Sequence, residues 1–371
     1  MKINQQMLKY SWLCILILLP LNFVQGSVSS HTQRISKVYK LNHETTVYIS
    51  NKYGKIHISN WNKDSVEFEI NLTIRSSNYT RVYKLKDNIN FDFVQTKYNI
   101  TATTIFGNRY NSNFSDLKNL AESFVSTENQ VSIDYFVKIP VWANLNIDHK
   151  YGDIYLDDAE GEMTITLSNG DIKANSLKGH CYLNFNSCDA NIYFIKDGKV
   201  NINYTDFTLK SGDKVDVISK SCNVYLDDID YLKIDSRRDK YFISSIKKTF
   251  GDTYFSDFNV YELEDEISYD MKYGTITLDK VAKTFSLINL SSEYTDITIL
   301  FNKSVTYNFD MTHYNDISFY YPKELSKLQE KLVDEESNEY LVYGSIGPSS
   351  TSSSKLNIKA FKKCYIRIEH K

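Results

Sequence analysis

The chain has 371 residues, 42% of them hydrophobic and 24% charged, with 13 Gly and 4 Pro, a balance that excludes a disordered chain and supplies apolar material for one or two packed cores. Aromatic residues make up 14%, with 29 Tyr and 20 Phe against 3 Trp, and so many rings in a Pro-poor chain favour strands, whose pleated surface accommodates them. A net charge of −3 offers no positive field to hold a phosphate backbone, which argues against nucleic-acid binding.

Lys2 and Lys9 flank the start of an apolar run from Trp12 to Leu19, and Val24-Gln25-Gly26 places small residues where a signal peptidase reads, so residues 1–26 are expected to be a cleaved signal peptide. The rival reading, an uncleaved anchor, has 13 residues from Trp12 to Val24, interrupted by Pro20 and Asn22. A bilayer needs roughly 20. Cys14 follows Leu13 inside the apolar run, which does not fit a lipid anchor. Without residues 1–26 the net charge is −5. The expectation is an exported protein, in the periplasm or at the cell surface, with no membrane span after cleavage.

Residues 27–140 are read as a β-rich N-terminal part with helical insertions. Tyr53-Gly54-Lys55-Ile56-His57-Ile58 leads into the alternating Val66, Phe68, Ile70, Leu72 and Ile74, a strand pattern. Tyr79 to Lys86 and Ser115 to Phe124 predict short helices, the second with Leu117, Leu120, Ala121 and Phe124 on one face.

Residues 141–320 repeat. The unit is an aromatic residue, any residue, Asp or Asn, then an apolar residue that opens a short alternating strand. Strong copies are Tyr151-Gly152-Asp153-Ile154, Tyr204-Thr205-Asp206-Phe207, Phe255-Ser256-Asp257-Phe258, Tyr273-Gly274-Thr275-Ile276, Tyr294-Thr295-Asp296-Ile297 and Tyr314-Asn315-Asp316-Ile317. Weaker copies end on Ile172, Ile192, Val224 and Tyr241, giving spacings of 18, 20, 15, 17, 17, 17, 18, 21 and 20. A unit this short cannot bury its own apolar face, and stacking copies at the strand spacing of about 4.8 Å does so. The fold predicted is all-β, a β-solenoid of the parallel β-helix kind with rungs of about 18 residues and small helical insertions or caps. A sandwich of antiparallel hairpins is the rival; it would alternate two kinds of turn at about half that spacing. Residues 321–371 close the chain with a helix over Lys323 to Val333, a Ser-rich loop at 349–354, and strands around Leu356, Ile358 and Tyr365 to Ile368, with Lys363-Cys364-Tyr365-Ile366 as a worn copy of the repeat.

Two columns run through the repeat. The acidic one holds Asp153, Asp171, Asp206, Asp257, Asp296 and Asp316, with Asn191 and Asn223 in two further copies. Stacked acids suit cations or sugars, whereas Asp and Asn also cap turns through backbone N–H groups. The free exchange of Asp with Asn favours a structural turn column and no metal. The aromatic column holds Tyr151, Tyr204, Phe255, Tyr273, Tyr294 and Tyr314. It is read as a ladder of rings between rungs, with a sugar-stacking platform as the alternative. Asp157-Asp158, Asp227-Asp228 and Asp230 are acid clusters of the kind glycoside hydrolysis uses, but both doublets follow Tyr-Leu, as a repeated solvated turn would. None of the seven His falls in a ligand or catalytic spacing, so no catalytic, metal or cofactor site is expected. Seven Asn-x-Ser/Thr sequons are near chance in so Asn-rich a chain. Cys181, Cys188, Cys222 and Cys364 are expected to be free thiols, because Cys188 and Cys222 fall two rungs apart, about 9.6 Å, beyond the reach of a disulfide.

In Asn51-Lys52-Tyr53-Gly54-Lys55-Ile56, Lys150-Tyr151-Gly152-Asp153-Ile154-Tyr155-Leu156, Lys272-Tyr273-Gly274-Thr275-Ile276 and Glu293-Tyr294-Thr295-Asp296-Ile297, the chain resembles the bacterial putative-adhesin family of unknown function, the DUF4097-type domain, whose members are exported and built on repeated Tyr-Gly-Asp-apolar turns. The resemblance runs from about residue 45 to the C-terminus. It implies an envelope β-helix and brings no catalytic residues. The function expected is a non-enzymatic surface for contact with an unknown protein or glycan partner at the cell envelope. A carbohydrate-active enzyme on the same scaffold and an envelope sensor with a membrane partner are the alternatives; a groove with two acids beside an exposed ring would favour the enzyme.

Overall fold

The computed structural model describes residues 29–107, 129–314, 317–349 and 351–371. The expected leader and the expected Ser115 to Phe124 helix lie outside them. One rung shows how the sequence builds the rest. In strand Asp206–Lys220, Phe207 and Leu209 turn inward, the alternation breaks at Gly212 where the chain bends, and Val215 and Val217 turn inward again. Asp206 then pairs in parallel with Asn223, and Lys220 with Arg237. Each rung therefore lays one half on a first face and the other half on a second, and the apolar sides of the two faces meet in one continuous core. The result is a β-solenoid of parallel strands.

On the first face the inward column runs Ile56, Ile154, Ile172, Ala190, Phe207, Val224, Tyr241 and Phe258. Beyond it Ile276 pairs with Ile297, Ile297 with Ile366, and Ile366 with Phe319. Two expected members are displaced. Ala190 takes the place expected for Ile192, which also points inward two residues later; with Ser187-Cys188 at the turn, neither Tyr nor Gly marks the phase. Phe319 takes the place expected for Ile317, and the strand Tyr365–His370 has slipped between it and Ile297, so stacking order departs from chain order. The worn copy at Lys363 to Ile366 is thus a full rung inside the stack.

Between rungs the chain turns through a tight arc whose first residue is left-handed: Tyr53, Tyr151, Asn169, Ser187, Tyr204, Ser221, Arg238, Phe255, Tyr273, Tyr294 and Lys363 all have φ between 42° and 65°. Such values strain a bulky side chain. The compensation is regular, since the N–H of the arc residue donates to the next rung, as in Tyr204 to Lys220 O at 3.0 Å and Phe255 to Lys272 O at 2.9 Å. The second arc residue faces inward and is Gly, Ser, Thr or Cys on every rung except that of Arg238, where it is the buried Asp239. Where it is Thr, Ser or Cys its side chain donates to the carbonyl two residues back: Thr205 to Asn203 O at 2.9 Å, Ser256 to Tyr254 O at 3.2 Å, and Cys188, Cys222 and Cys364 to Asn186, Lys220 and Lys362 O at 3.2 Å each. These cysteines act as turn-closing donors. All four described cysteines are free and buried, and the rung of Thr205 separates Cys188 from Cys222. Burial pushes the Cys181 thiol up to about 12.

Both ends of the stack are closed by antiparallel strands. At the N-terminal end, strand Ser65–Ser76 and then Ser29–Lys40 extend the first face, while Ile89–Gln95 is outermost on the second. The expected helix is present as Tyr79–Asp87, capped by the Asn78 side chain, with Val82 and Leu85 buried. At the C-terminal end the expected Lys323 to Val333 helix is absent. A 3-10 turn, Lys323–Leu325, leads into strand Ser326–Asp334, which pairs with Glu339–Ile346, itself paired with Tyr307–His313. Leu325, Leu328 and Leu332 have helical spacing, but satisfying the outer edge of Glu339–Ile346, itself laid on Tyr307–His313, outweighs that local preference.

A buried His149 joins the first two rungs. Its Nδ1 lies 3.2 Å from Asn51 O and its Nε2 2.9 Å from Gly54 O, and a neutral ring can donate to only one of them. Burial nevertheless dominates and holds its pKa below 6.5, against the opposing pull of those carbonyls and of Asp153 and Asp148. His370 is lowered by burial in the same way. A base depressed in the folded state binds protons more readily once unfolded, so stability is complete above about pH 6.5 and falls as pH drops below it. Urea midpoints measured from about pH 7.5 to 5 should fall for the natural protein and fall less for His149→Gln; identical slopes would remove His149 from this account.

Candidate functional site

The arcs stack into one edge of the solenoid, and the first arc residues carry their rings there. Phe255 and Tyr273 lie 4.7 Å apart at 13°, and Tyr273 and Tyr294 4.9 Å apart at 4°, a continuous three-ring stack. Tyr254 stands across it, at 84° to Phe255 and 85° to Tyr273. All four rings are exposed. The rest of the expected column is divided. Tyr151 stacks on Tyr53 at 5.6 Å, with Lys52 Nζ about 5 Å from both rings (5.0 and 5.4 Å). Tyr204 stands alone between Ser187 and Ser221, 60% exposed. Tyr314 is off the stack against Phe361, because Lys363 holds the arc position beyond Tyr294.

The acidic column follows one residue after the inward arc position. Its register is Asp171, Asp189, Asp206, Asn223, Lys240 and Asp257, so Asp189 stands where Asn191 was expected. Asp153 precedes Asp171, Asp296 pairs with Thr275, and Asp316 lies outside the described residues. The side chains tie rung to rung: Asp153 accepts from the Asp171 N–H at 3.3 Å, Asp206 from Asn223 Nδ2 at 2.8 Å, and Asp257 from Thr275 Oγ1 at 2.9 Å. Closure of the arc itself belongs to the small inward residue beside them. Lys55 caps the column with an ion pair to Asp153 at 3.6 Å. Among the described residues no three His, Cys, Asp or Glu side chains are placed to hold a metal ion. The acid doublets serve the bends: Asp157 accepts from the Asn60 N–H at 3.3 Å, Asp158 from the Ser176 N–H at 3.1 Å, and Asp227 pairs with Lys210 at 2.5 Å.

A groove of about 370 Å³ opens beside Tyr254, lined by Asp235, Asp252, Asp270, Arg237 and Lys272. The three acids are register partners on successive rungs of the second face, spaced by about one strand separation. Arg237 Nε lies 3.6 Å from Asp235, and Lys272 Nζ 3.0 Å from Glu293. This constellation is hidden in the sequence, because its members lie 17 and 18 residues apart just before the arc, on an outward column that the inward apolar markers do not reveal. A second aromatic column is hidden in the same way. On the outer first face, Phe136, His57 and Tyr155 stack at 5.3 and 4.4 Å, and Tyr225 and Phe242 at 5.2 Å.

Among the described residues no helix is long and apolar enough to cross a membrane. No protein-family profile and no curated protein matches the chain. Solved structures do. It is similar to a protein described as a putative cell adhesion protein from Clostridium sporogenes, with 9% identity over 92% of this chain and 100% of that one and a TM-score of 0.19. It is also similar to one described as a putative adhesin from Bacteroides fragilis, with 12% identity over 72% of this chain and 97% of that one and a TM-score of 0.27. A third, described as a putative adhesin from Parabacteroides merdae, shows 10% identity over 94% of this chain and 98% of that one, with a TM-score of 0.26.

Proposed function

We propose that the chain is an exported, non-enzymatic β-solenoid of the envelope whose arc edge is a contact surface for glycan. The observation that carries this reading is the exposed stack of Phe255, Tyr273 and Tyr294 crossed by Tyr254, beside a groove of acids and bases. Sugar rings present apolar C–H faces that cover aromatic rings, and hydroxyls that pair with carboxylate and guanidinium groups. Rigid strands hold both kinds of group at a fixed repeat, which suits a ligand that is itself a repeat. The leader-like residues 1–26 and the resemblance to the DUF4097-type family support export to the periplasm or cell surface.

The test is affinity electrophoresis of the purified protein through gels containing envelope polysaccharide. Retardation is expected for the natural protein and for Tyr193→Ala, a remote exposed ring, and its loss for Tyr254→Ala combined with Tyr273→Ala. Equal retardation of the double variant would sink the reading. The enzyme alternative has one observation in its favour: Asp235, Asp252 and Asp270 span a groove beside an exposed ring, and paired carboxylates about 5 to 10 Å apart are what glycoside hydrolysis uses. Release of reducing ends that is abolished by Asp252→Asn would establish it in place of simple contact.

A further inference from the structure

The exposed ring stack of the arc edge runs between two rows of carboxylates. On its second-face side Asp252 and Asp270 are register partners in the groove beside Tyr254, and on its first-face side Asp257 and Asp296 follow Phe255 and Tyr294 by two residues. The two bases that line the groove are already engaged, Lys272 with Glu293 at 3.0 Å and Arg237 with Asp235 at 3.6 Å. Lys240 stands beside Asp257 in register but forms no ion pair with it, and Asp257 accepts from Thr275. Asp252, Asp257, Asp270 and Asp296 are thus without an ion pair among the described residues. Arg238 and Lys363 hold the arc one rung beyond either end of the stack, so cations bound this acidic stretch without entering it. Thr253 lines the same groove at 4% exposure, and its hydroxyl has no hydrogen-bond partner among the described residues. Carboxylates, a hydroxyl oxygen and the negative faces of aromatic rings all accept; the ligand that complements them brings N–H donors and positive charge.

We propose, building on the glycan reading above, that the arc edge takes a glycan whose sugars carry free amines, a hexosamine polymer lacking its N-acetyl groups. The C–H faces of the sugars cover Tyr254 and the ring stack, and their protonated amines reach Asp252 and Asp270. One acid per rung, at the strand spacing of about 4.8 Å, gives a repeating ligand a repeating partner. An N-acetyl group carries no charge and leaves these carboxylates uncompensated, so the free amine sets the preference. A basic peptide would meet the acids but offers the stack no repeated ring face.

Titration calorimetry tests it, with a tetramer of β-linked glucosamine, its N-acetylated counterpart and a tetralysine peptide, at about pH 6, where amines are protonated and aspartates ionised. The natural protein should bind the glucosamine tetramer roughly tenfold or more tighter than the N-acetylated one. Asp252→Asn with Asp270→Asn changes only exposed side chains and should abolish that preference while leaving the weaker binding of the N-acetylated tetramer as it was. Asp213→Asn with Asp230→Asn makes the same change of net charge at exposed positions by the bends and should keep the preference. Equal binding of the two tetramers by the natural protein, or a preference that survives Asp252→Asn with Asp270→Asn, would overturn the amine assignment and leave the glycan surface standing. Tetralysine bound as tightly as the glucosamine tetramer would overturn it in favour of a basic peptide. Binding of neither tetramer would overturn the glycan reading and the amine assignment together.

Discussion

Gly152→Ala is expected to be among the most damaging single-methyl changes in the molecule. Gly54, Gly152 and Gly170 occupy the inward arc position on three adjacent rungs, and their backbones lie against one another. A Cβ on Gly152 would overlap the Gly54 carbonyl oxygen and come within 2.8 Å of His149 Nε2. The clash is with backbone that is itself hydrogen-bonded between rungs, so no flexible side chain can yield. Overpacking usually costs about 1 to 3 kcal/mol, and a rigid backbone obstacle places this case at or above ~3 kcal/mol. Stability in stacked repeats is a sum over rungs and their interfaces, so the loss should be local. Hydrogen exchange should show protection falling first around residues 145–172, while the rungs beyond 224 keep theirs. Thr205→Ala, at the same position on a roomier rung, serves as the comparison and should cost about 1 kcal/mol for the lost donor. Equal effects of the two substitutions would refute the close-approach account.

Asp239→Ala is expected to cost roughly 3 to 5 kcal/mol, for the opposite reason. Asp239 holds the inward arc position of its rung and is 2% exposed. Its carboxylate accepts from the Ser219 and Ser236 hydroxyls at 2.7 Å each, and from the Arg237 and Cys222 N–H groups at 2.8 Å each. Ser219 also meets the hydroxyl of Tyr241 at 2.7 Å, and burial raises that phenol well above its usual range. Truncation would strand these donors in the core, where an unmade hydrogen bond is expensive. Asp239→Asn keeps one oxygen and places an amide among donors, so about half the loss is expected. Urea midpoints at neutral pH give both values. A loss under about 1 kcal/mol for Asp239→Ala would show that the neighbouring hydroxyls re-pair among themselves.

The all-β class, the stacking of short units and their phase can be read from the chain, because each depends on local chemistry repeated at a fixed interval. Alternating apolar residues specify a strand with one inward face, and a unit too small to bury that face needs a copy on either side. The aromatic and acidic residues of the arc recur because one arc geometry recurs, and so most of both columns was visible. Register around 187–192 was not. Side chains alternate with period two, so Ala190 and Ile192 both satisfy an inward position, and only pairing with Ile172 and Phe207 selects Ala190. The placement of Tyr365–His370 between Ile297 and Phe319, and the conversion of the Lys323 to Val333 helix pattern into a strand, were decided by open sheet edges that exist only after the stack has formed. The groove of Asp235, Asp252 and Asp270 likewise exists only once parallel pairing sets residues 17 and 18 apart side by side. Local periodicity thus determined what each rung is. Non-local hydrogen bonding decided which rungs are neighbours, and with that which outward side chains form a surface, because a strand's own sequence does not specify the edge against which it will lie.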